Sequence, residues 1–94
     1  MVDQEAVLER LKKVIDPETG MDVVTMGLIL EIAPDLGGGL KVIFRPSSYV
    51  CPLAYHLAFQ IQRDLQWIPG SGKVDLSVVD FAGAEDLNRM LRGD

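Results

Sequence analysis

The sequence predicts an α+β fold, in which two helices cover a small mixed three-stranded sheet as a two-layer α/β sandwich. Apolar residues recur at helical spacing in two segments and alternate with polar residues in three others, and these two periods carry the prediction. The segments follow in the order helix, strand, strand, helix, strand, with a short C-terminal helix at the end. A chain of 94 residues can build one hydrophobic core, so residues 1–94 are expected to form a single domain.

The first helix is predicted near the N-terminus, in a segment that begins with acidic residues and ends with basic ones. Asp3 is placed as its N-cap, and Lys12 and Lys13 fall in its last turn, where cations stabilise the helix dipole. Its apolar face is predicted to consist of Val7, Leu8, Leu11, Val14 and Ile15. Because Pro17 disfavours helical backbone at Asp16, a turn is predicted after the helix.

Two strands are predicted to follow as a hairpin, because apolar and polar residues alternate in each of them. Their apolar faces consist of Leu28, Leu30 and Ile32 in the first strand and of Leu40, Val42 and Phe44 in the second. Gly37, Gly38 and Gly39 lie in the connection between them. That glycine run is too short for a phosphate-binding loop and lacks the lysine of such loops, so it is predicted to be a turn.

The helical period returns after Pro52 and predicts a second amphipathic helix. Its buried stripe is predicted to consist of Ala54, Leu57, Ala58, Ile61 and Leu65, with His56, Gln60 and Arg63 on the opposite side. The third strand places Val74, Leu76 and Val78 on one face, and Leu87, Met90 and Leu91 indicate the terminal helix. Because the third strand is reached through a helix and the first two form a hairpin, the sheet is expected to be mixed.

Composition excludes several classes of partner. The net charge of −5 and the pI near 4.7 argue against nucleic-acid binding, which needs clustered Lys and Arg. No apolar run approaches the roughly 18 residues that span a bilayer, so no membrane association is expected. The segment Val2–Glu5 is acidic, unlike the basic start of a secretory signal. We therefore expect a soluble, cytoplasmic protein whose thiol is kept reduced.

Cys51, the only cysteine, is the strongest candidate for chemistry. It stands directly before Pro52, and proline fits the first turn of a helix, so Cys51 is predicted to be the cap or pre-cap residue of the second helix. The unpaired N–H groups and the dipole at that position favour an anion, here the thiolate that attacks electrophiles and binds metals. A buried free thiol that fills space in the core is the alternative.

Three separated motifs carry a resemblance to a known family. Asp16-Pro17-Glu18 is followed by Gly20, then by the segment Asp22–Leu28, and later by Cys51-Pro52-Leu53. In this order they resemble the metal-sulfur cluster assembly domain, whose members include SufT-like proteins, the cytosolic iron–sulfur targeting factors of eukaryotes and the PaaD-like subunit. The resemblance extends from about Glu5 to Val79 and implies the fold of an iron–sulfur cluster assembly domain.

The resemblance also implies a site. Cys51 corresponds to the reactive cysteine of the family and is the expected ligand of a transient iron–sulfur cluster or iron. Asp16, Glu18 and Asp22 correspond to its acidic loop, as supporting or client-contact residues. Many members have a glycine before the cysteine and an Asp-Pro-Pro-Trp-like segment after the third strand. This chain instead has residues 45–50 as Arg-Pro-Ser-Ser-Tyr-Val, and residues 80–85 replace the tryptophan segment.

Each candidate also has a structural interpretation. Asp16 and Asp22 can cap local backbone N–H groups, because short carboxylates favour turns. Tyr49 and Pro52 are candidates for client contact, although a partly buried aromatic is the commoner outcome for Tyr49. His56 lies five positions after Cys51, about 140° around a helix, so one metal ion could hardly take both side chains.

Three functions are ranked from these observations. The first is an accessory factor that assembles or delivers clusters to client apo-proteins together with the assembly machinery, with Cys51 as a transient ligand. Since common clusters take four cysteine thiolates, one chain cannot hold a cluster stably, and a homodimer, a small thiol or the client must supply the rest. The second is a non-enzymatic adaptor with a structural Cys51. The third is a thiol enzyme, for which no well-placed base is evident.

Overall fold

The computed structural model describes residues 4–17, 19–34, 39–47, 49–50, 53–68 and 73–92. Three helices and three strands form the predicted helix-strand-strand-helix-strand order with a C-terminal helix. In chain order they are α1 (Gln4–Leu11), β1 (Ile29–Pro34), β2 (Leu40–Phe44), α2 (Ala54–Gln66), β3 (Val74–Val78) and α3 (Ala84–Arg92). The α+β fold class is therefore confirmed. No helix among these residues is long and apolar enough to cross a membrane.

The sheet is mixed, with strand order β1-β2-β3. β1 and β2 pair antiparallel, with Ile32 opposite Val42, and β2 pairs parallel with β3, with Val42 beside Leu76. A parallel pair needs a crossover connection, and α2 supplies it. The prediction of a mixed sheet from the order of the elements is confirmed.

The core lies between the sheet and the helices. Along β2 the predicted face is buried, while Lys41 points to solvent, as the period of two requires. The predicted stripe of α2 is buried throughout, and His56 and Arg63 on its other side are exposed. α1 packs against α2 and β1, and an ion pair of 3.9 Å joins Arg10 to Asp64 across the two helices. The two layers therefore meet through the faces that the sequence period indicates.

Helix α1 is shorter than predicted, because it ends at Leu11. The N–H of Val14 bonds to the carbonyl of Leu11 at 3.0 Å, three residues back, which tightens the last turn. The carbonyl of Val14 then accepts from the N–H of Val23 at 3.1 Å, which draws the chain out of the helical path. Val14 stays buried, but Ile15 is exposed and Lys12 lies beyond the helix, contrary to the prediction. Asp3, the predicted N-cap, lies outside the described residues.

Strand β1 begins with an irregularity that breaks the predicted alternation. The pairing with β2 shifts between Ile29 and Glu31, as in a β-bulge. Leu30 is consequently 48% exposed, whereas Leu28 is buried and Ile32 is half-buried, so the prediction that all three share the core face is wrong for Leu30. β1 is also an edge strand, and the side-chain amide of Gln4 reaches its Ile32 carbonyl only at 3.5 Å.

The C-terminal helix α3 packs against β3, the other edge strand. Its residues Leu87 and Leu91 are buried as predicted, and Met90 is exposed, which corrects its assignment to the apolar face. The helix covers the strand from the side and makes few contacts with α2. Residues 69–72 and most of the glycine-rich connection, residues 35–38, lie outside the described part of the chain.

Candidate functional site

The acidic loop, which comprises Asp16, Glu18 and Asp22, is closed by backbone hydrogen bonds. Ile15 and Asp22 form an isolated antiparallel bridge, and the N–H of Asp16 donates to the carbonyl of Met21 at 2.9 Å. The N–H of Gly20 donates to the carbonyl of Asp16 at 2.8 Å, with Gly20 in the left-handed region at φ 74°. The sequence motif Asp-Pro-Glu-x-Gly therefore encodes a tight loop, as predicted.

Asp16 lies inside this loop. Its residue surface is 1% exposed, and in the part of the chain that the structure describes it is the one charged residue that is buried. A side chain buried to this degree offers little surface to a client, so its position favours a role in shaping the loop. Glu18 lies outside the described residues. Client contact at either residue stays a prediction.

Asp22 caps the turn that follows it. One carboxylate oxygen accepts the hydroxyl of Thr25 at 2.6 Å, and the other accepts the Thr25 N–H at 2.9 Å. These bonds, first the hydroxyl and then the backbone, hold the pKa of the Asp22 carboxyl below its ordinary value. The structure thus gives Asp22 the local capping role that the sequence left open as the alternative to a site role.

A cleft of about 550 Å³ lies where the turn after the acidic loop, the segment after β2 and the segment after β3 meet. We call it the sheet-end cleft. Its described lining residues are Met26, Gly27, Leu28, Arg45, Pro46, Ser47, Tyr49 and Asp80. Because β2 and β3 are parallel, their carboxyl ends lie at the same end of the sheet, the usual place for a ligand site between parallel strands.

Backbone hydrogen bonds join the segment after β3 to β2 and to Tyr49. The N–H of Ala82 donates to the Tyr49 carbonyl at 2.8 Å, and the N–H of Val79 donates to the Phe44 carbonyl at 3.0 Å. The ring of Phe81 meets that of Tyr55 edge to face, with centroids 5.9 Å apart. Asp80, the first residue of the segment in which this chain departs from the family pattern, lines the cleft.

Tyr55 in the first turn of α2 ties this segment to α3. Its hydroxyl donates to the carboxylate of Asp86 at 3.3 Å. Partial burial, with a smaller effect of the Asp86 charge, raises the pKa of Tyr55, so the phenol stays protonated and can keep donating. A Cβ at Gly83 would lie 2.7 Å from the Tyr55 hydroxyl, so a larger residue there would displace the Tyr55 side chain.

Cys51 and Pro52 lie outside the described residues, and the sequence around them is the evidence for their setting. Tyr49 and Val50, directly before Cys51, are 65% and 71% exposed. Helix α2 begins at Ala54, with Leu53 as its N-cap residue at φ −96° and ψ 1°. The cap residue is therefore Leu53 rather than Cys51, because Leu53 is the last residue with non-helical backbone before α2. The alternative that Cys51 is a pre-cap residue stays a prediction.

Other potential ligands do not gather at one place. Among the described residues, no three His, Cys, Asp or Glu side chains converge where they could hold a metal ion. His56 lies on the exposed face of α2 beside Phe59, Gln60 and Arg63. The sequence did not indicate Asp80 as a site residue. Its position two residues after β3, a strand parallel to β2, is the signal that would have found it.

Comparisons with known proteins identify relatives of this chain. Residues 4–78 match the family model described as iron-sulfur cluster assembly protein. An uncharacterized protein of Methanocaldococcus jannaschii is 35% identical, over 98% of this chain and 97% of its own. The Fe-S protein maturation auxiliary factor YitW of Bacillus subtilis is 28% identical, over 81% of this chain and 74% of its own.

A longer relative and a solved structure extend these matches. An iron-sulfur cluster carrier protein of Mycobacterium leprae is 28% identical over 97% of this chain, which spans only 24% of that protein. The solved structure of a conserved hypothetical protein of Thermotoga maritima superimposes with a TM-score of 0.75 and 34% identity, over 86% of this chain and 78% of its own. The match to the family model covers both the acidic loop and all three strands, and the chain belongs to the iron-sulfur cluster assembly protein family.

Proposed function

We propose that the protein is an accessory factor that assembles iron–sulfur clusters or delivers them to client apo-proteins, with Cys51 as a transient ligand. Membership of the iron-sulfur cluster assembly family is the observation that carries the proposal. The name of the YitW relative, a maturation auxiliary factor, supports a helper role. The matched region is a small part of a longer chain in the relative named as a cluster carrier. That name supports a role for this chain together with a carrier protein.

In this function the cluster is cargo rather than a resident cofactor. This chain has one cysteine, whereas common clusters are held by four thiolates. Among the described residues, no group of three His, Cys, Asp or Glu side chains could supply the missing cluster ligands. Further ligands therefore come from a second copy, a small thiol or the client, and binding is labile. Lability suits transfer of a cluster better than its storage.

We assign the protein no catalytic residue. A thiol nucleophile needs an adjacent base. The only histidine, His56, lies on the solvent-facing side of α2. Relatives named as auxiliary factors and carriers support a role without turnover. The proposed setting is the cytoplasm, where a reduced thiol is available, with residues 1–94 acting as one domain.

Anaerobic reconstitution with iron and sulfide tests the proposal. Wild type is expected to take up iron with the visible absorbance of a cluster, and Cys51→Ser is expected to take up little. His56→Gln, a substitution of a potential ligand on an exposed surface, serves as the control and is expected to behave as wild type. Uptake that is equal in wild type and Cys51→Ser contradicts the role of Cys51.

The stoichiometry of uptake tests the ligand count. Size-exclusion chromatography with light scattering is expected to show a shift from monomer towards dimer as iron is gained, with at most about one cluster per two chains. A monomer with a full, chelator-resistant cluster contradicts this account, because its sequence offers too few thiolates.

A second candidate function is favoured by the exposed apolar surface before Cys51. Tyr49 and Val50 are both largely exposed, and exposed apolar residues often mark contact with another protein. In this function the protein is an adaptor between client and assembly machinery, and Cys51 is structural. Absence of iron under every condition, together with binding of an apo-client by wild type and Cys51→Ser alike, favours the adaptor.

A further inference from the structure

The sheet-end cleft contains two opposite charges. The guanidinium of Arg45 and the carboxylate of Asp80 both belong to residues that line it, and both residues are exposed. Among the described residues neither side chain makes an ion pair, although three ion pairs occur elsewhere at helix surfaces. A cleft that offers one cation and one anion suits a ligand with both charges, because a ligand with one charge leaves the other cleft charge without a partner.

The backbone fixes where Asp80 sits. Its φ of 52° is in the left-handed region, where Asp is tolerated better than most residues but still uncommon. Hydrogen bonds on both sides hold it there, from Val79 to the Phe44 carbonyl and from Ala82 to the Tyr49 carbonyl. A residue held in a sparsely populated conformation by its neighbours is typical of a functional position.

Arg45 lies beside the segment that carries Asp80, because β2 and β3 are neighbouring parallel strands. Its N–H donates to the Leu28 carbonyl at 2.8 Å, directly after β2. The planar guanidinium can bind a carboxylate through two parallel hydrogen bonds, a geometry that lysine cannot reproduce. By charge, the Arg45 guanidinium suits a carboxylate, and the Asp80 carboxylate suits an ammonium group.

We propose that the sheet-end cleft binds a small zwitterionic aminothiol, a cysteine or short cysteine peptide whose carboxylate pairs with Arg45 and whose ammonium pairs with Asp80. This inference rests on the proposed function, in which ligands other than Cys51 are required. Tyr49 lines the cleft, and only two peptide units, at most about 7 Å of chain, separate it from Cys51. The thiol of such a ligand supplies one of the missing thiolates, and the volume of about 550 Å³ has room for a tripeptide.

Titration of the metal-free protein, followed by ¹⁵N NMR, tests the recognition of charge. L-cysteine and glutathione, which both carry an α-ammonium and a carboxylate, distinguish the free amino acid from a peptide as the source of the thiol. L-serine replaces the thiol by a hydroxyl and is expected to bind about as well as cysteine to the metal-free protein. Cysteamine and 3-mercaptopropionate each lack one charge and are expected to bind at least about fivefold more weakly. Equal binding of all these probes, or no binding of cysteine and glutathione, overturns the proposal.

Matched variants locate the site. In wild type, the NMR shifts caused by the ligand are expected to centre on the cleft. Arg45→Gln and Asp80→Asn are each expected to weaken binding about fivefold, measured with whichever of cysteine and glutathione binds wild type more tightly. Asparagine keeps the preference for left-handed backbone, so Asp80→Asn leaves the loop intact. Lys41→Gln and Glu31→Gln remove exposed charges on the strands and are expected to bind as wild type. Unchanged affinity in both cleft variants overturns the proposal.

Two further measurements separate this proposal from the proposed function. Cys51→Ser is expected to lose iron uptake but to keep binding of the zwitterion, because the charged groups of the cleft remain. In wild type, cysteine is expected to support more iron uptake than 2-mercaptoethanol at equal thiol concentration, and this advantage is expected to vanish in Arg45→Gln. Iron uptake without zwitterion binding overturns the cleft proposal alone, whereas zwitterion binding without iron uptake under any condition contradicts the proposed function alone.

Discussion

The side-chain amide of Asn88 in α3 makes two hydrogen bonds to the backbone of Val78 in the edge strand β3. The Val78 N–H donates to Oδ1 of Asn88 at 2.7 Å, and Nδ2 of Asn88 donates to the Val78 carbonyl at 3.0 Å. An amide has the same donor and acceptor as a peptide group, so Asn88 takes the place of a residue in a fourth strand. The helix thereby closes the edge of the sheet at this point.

Replacement of this amide is expected to destabilise the fold. Asn88→Ala leaves the N–H and carbonyl of Val78 without these partners and is expected to lower the free energy of unfolding by about 1–3 kcal/mol. Arg89→Ala, on the same helix, removes only exposed ion pairs and is expected to cost under about 0.5 kcal/mol. Urea unfolding measures both. Equal losses in the two variants contradict the edge-closing role.

Truncation of the core is expected to cost far more than loss of the thiol. Ile61 is fully buried in α2, so Ile61→Ala is expected to cost about 2–5 kcal/mol, and Leu57→Ala a similar amount. Phe59→Ala is the control on the exposed face of the same helix and is expected to cost less. Cys51→Ala is expected to cost under about 1 kcal/mol. A loss as large as that of Ile61→Ala indicates instead that Cys51 packs in the core.

The capping bonds of Asp22 predict a dependence of stability on pH. Because its pKa is lowered in the folded protein, the stabilisation is fully present above the ordinary carboxyl pKa of about 3.9 and is lost as pH falls through the lowered value. Wild type is therefore expected to lose its advantage over Asp22→Asn as the pH falls below about 4. Urea unfolding at pH 6 and pH 2.5 measures this difference. If the free energy of unfolding falls equally in wild type and Asp22→Asn between these two pH values, the predicted contribution of the Asp22 carboxylate is wrong.

The same variant separates capping from a charge-dependent role in function. Asn caps nearly as well as Asp, so Asp22→Asn keeps the turn while it removes the charge. Because the carboxylate bonds locally to Thr25, we expect cell complementation to stay intact in this variant. Failure of a folded Asp22→Asn protein to complement indicates that the charge itself takes part in function.

Labelling with iodoacetamide is expected to find Cys51 reactive in the native protein, with a pKa below the value of about 8.5 for a free thiol. The reason is its place in the sequence, three residues before the start of α2, whose first N–H groups favour an anion. The rate of labelling across pH, compared with that of the urea-unfolded protein, is the measurement. A native rate that titrates above the free-thiol value, or labelling only after unfolding, identifies a structural cysteine.

Elements with a regular period were predictable from the sequence. The stripe of α2 and the inward face of β2 are buried as the spacing indicates, since burial of one face is what produces that spacing. The predictions that were wrong lie where tertiary contacts override the periodic pattern. Ile15 leaves the helical face because Val14 pairs with Val23, and Leu30 turns outward because of the irregularity after Ile29.

The candidate site was predictable only in part. The acidic loop follows from local turn chemistry, which a sequence shows directly. The sheet-end cleft depends on Arg45 and Asp80, which are 35 positions apart and line the same cleft because β3 returns parallel to β2. No local sequence pattern predicts that two residues so far apart line one cleft, so the sequence indicates Asp80 only as part of a departure from the family pattern.

The two edges of the sheet differ, and this difference limits how copies of the chain can associate. The β3 edge is closed at Val78 by Asn88, whereas at the β1 edge the side-chain amide of Gln4 reaches the Ile32 carbonyl only at 3.5 Å. A sheet with two open edges can add copies without end and grow into a fibre. With one open edge, a second copy that pairs through β1 uses up the available edge of both, and growth stops at two.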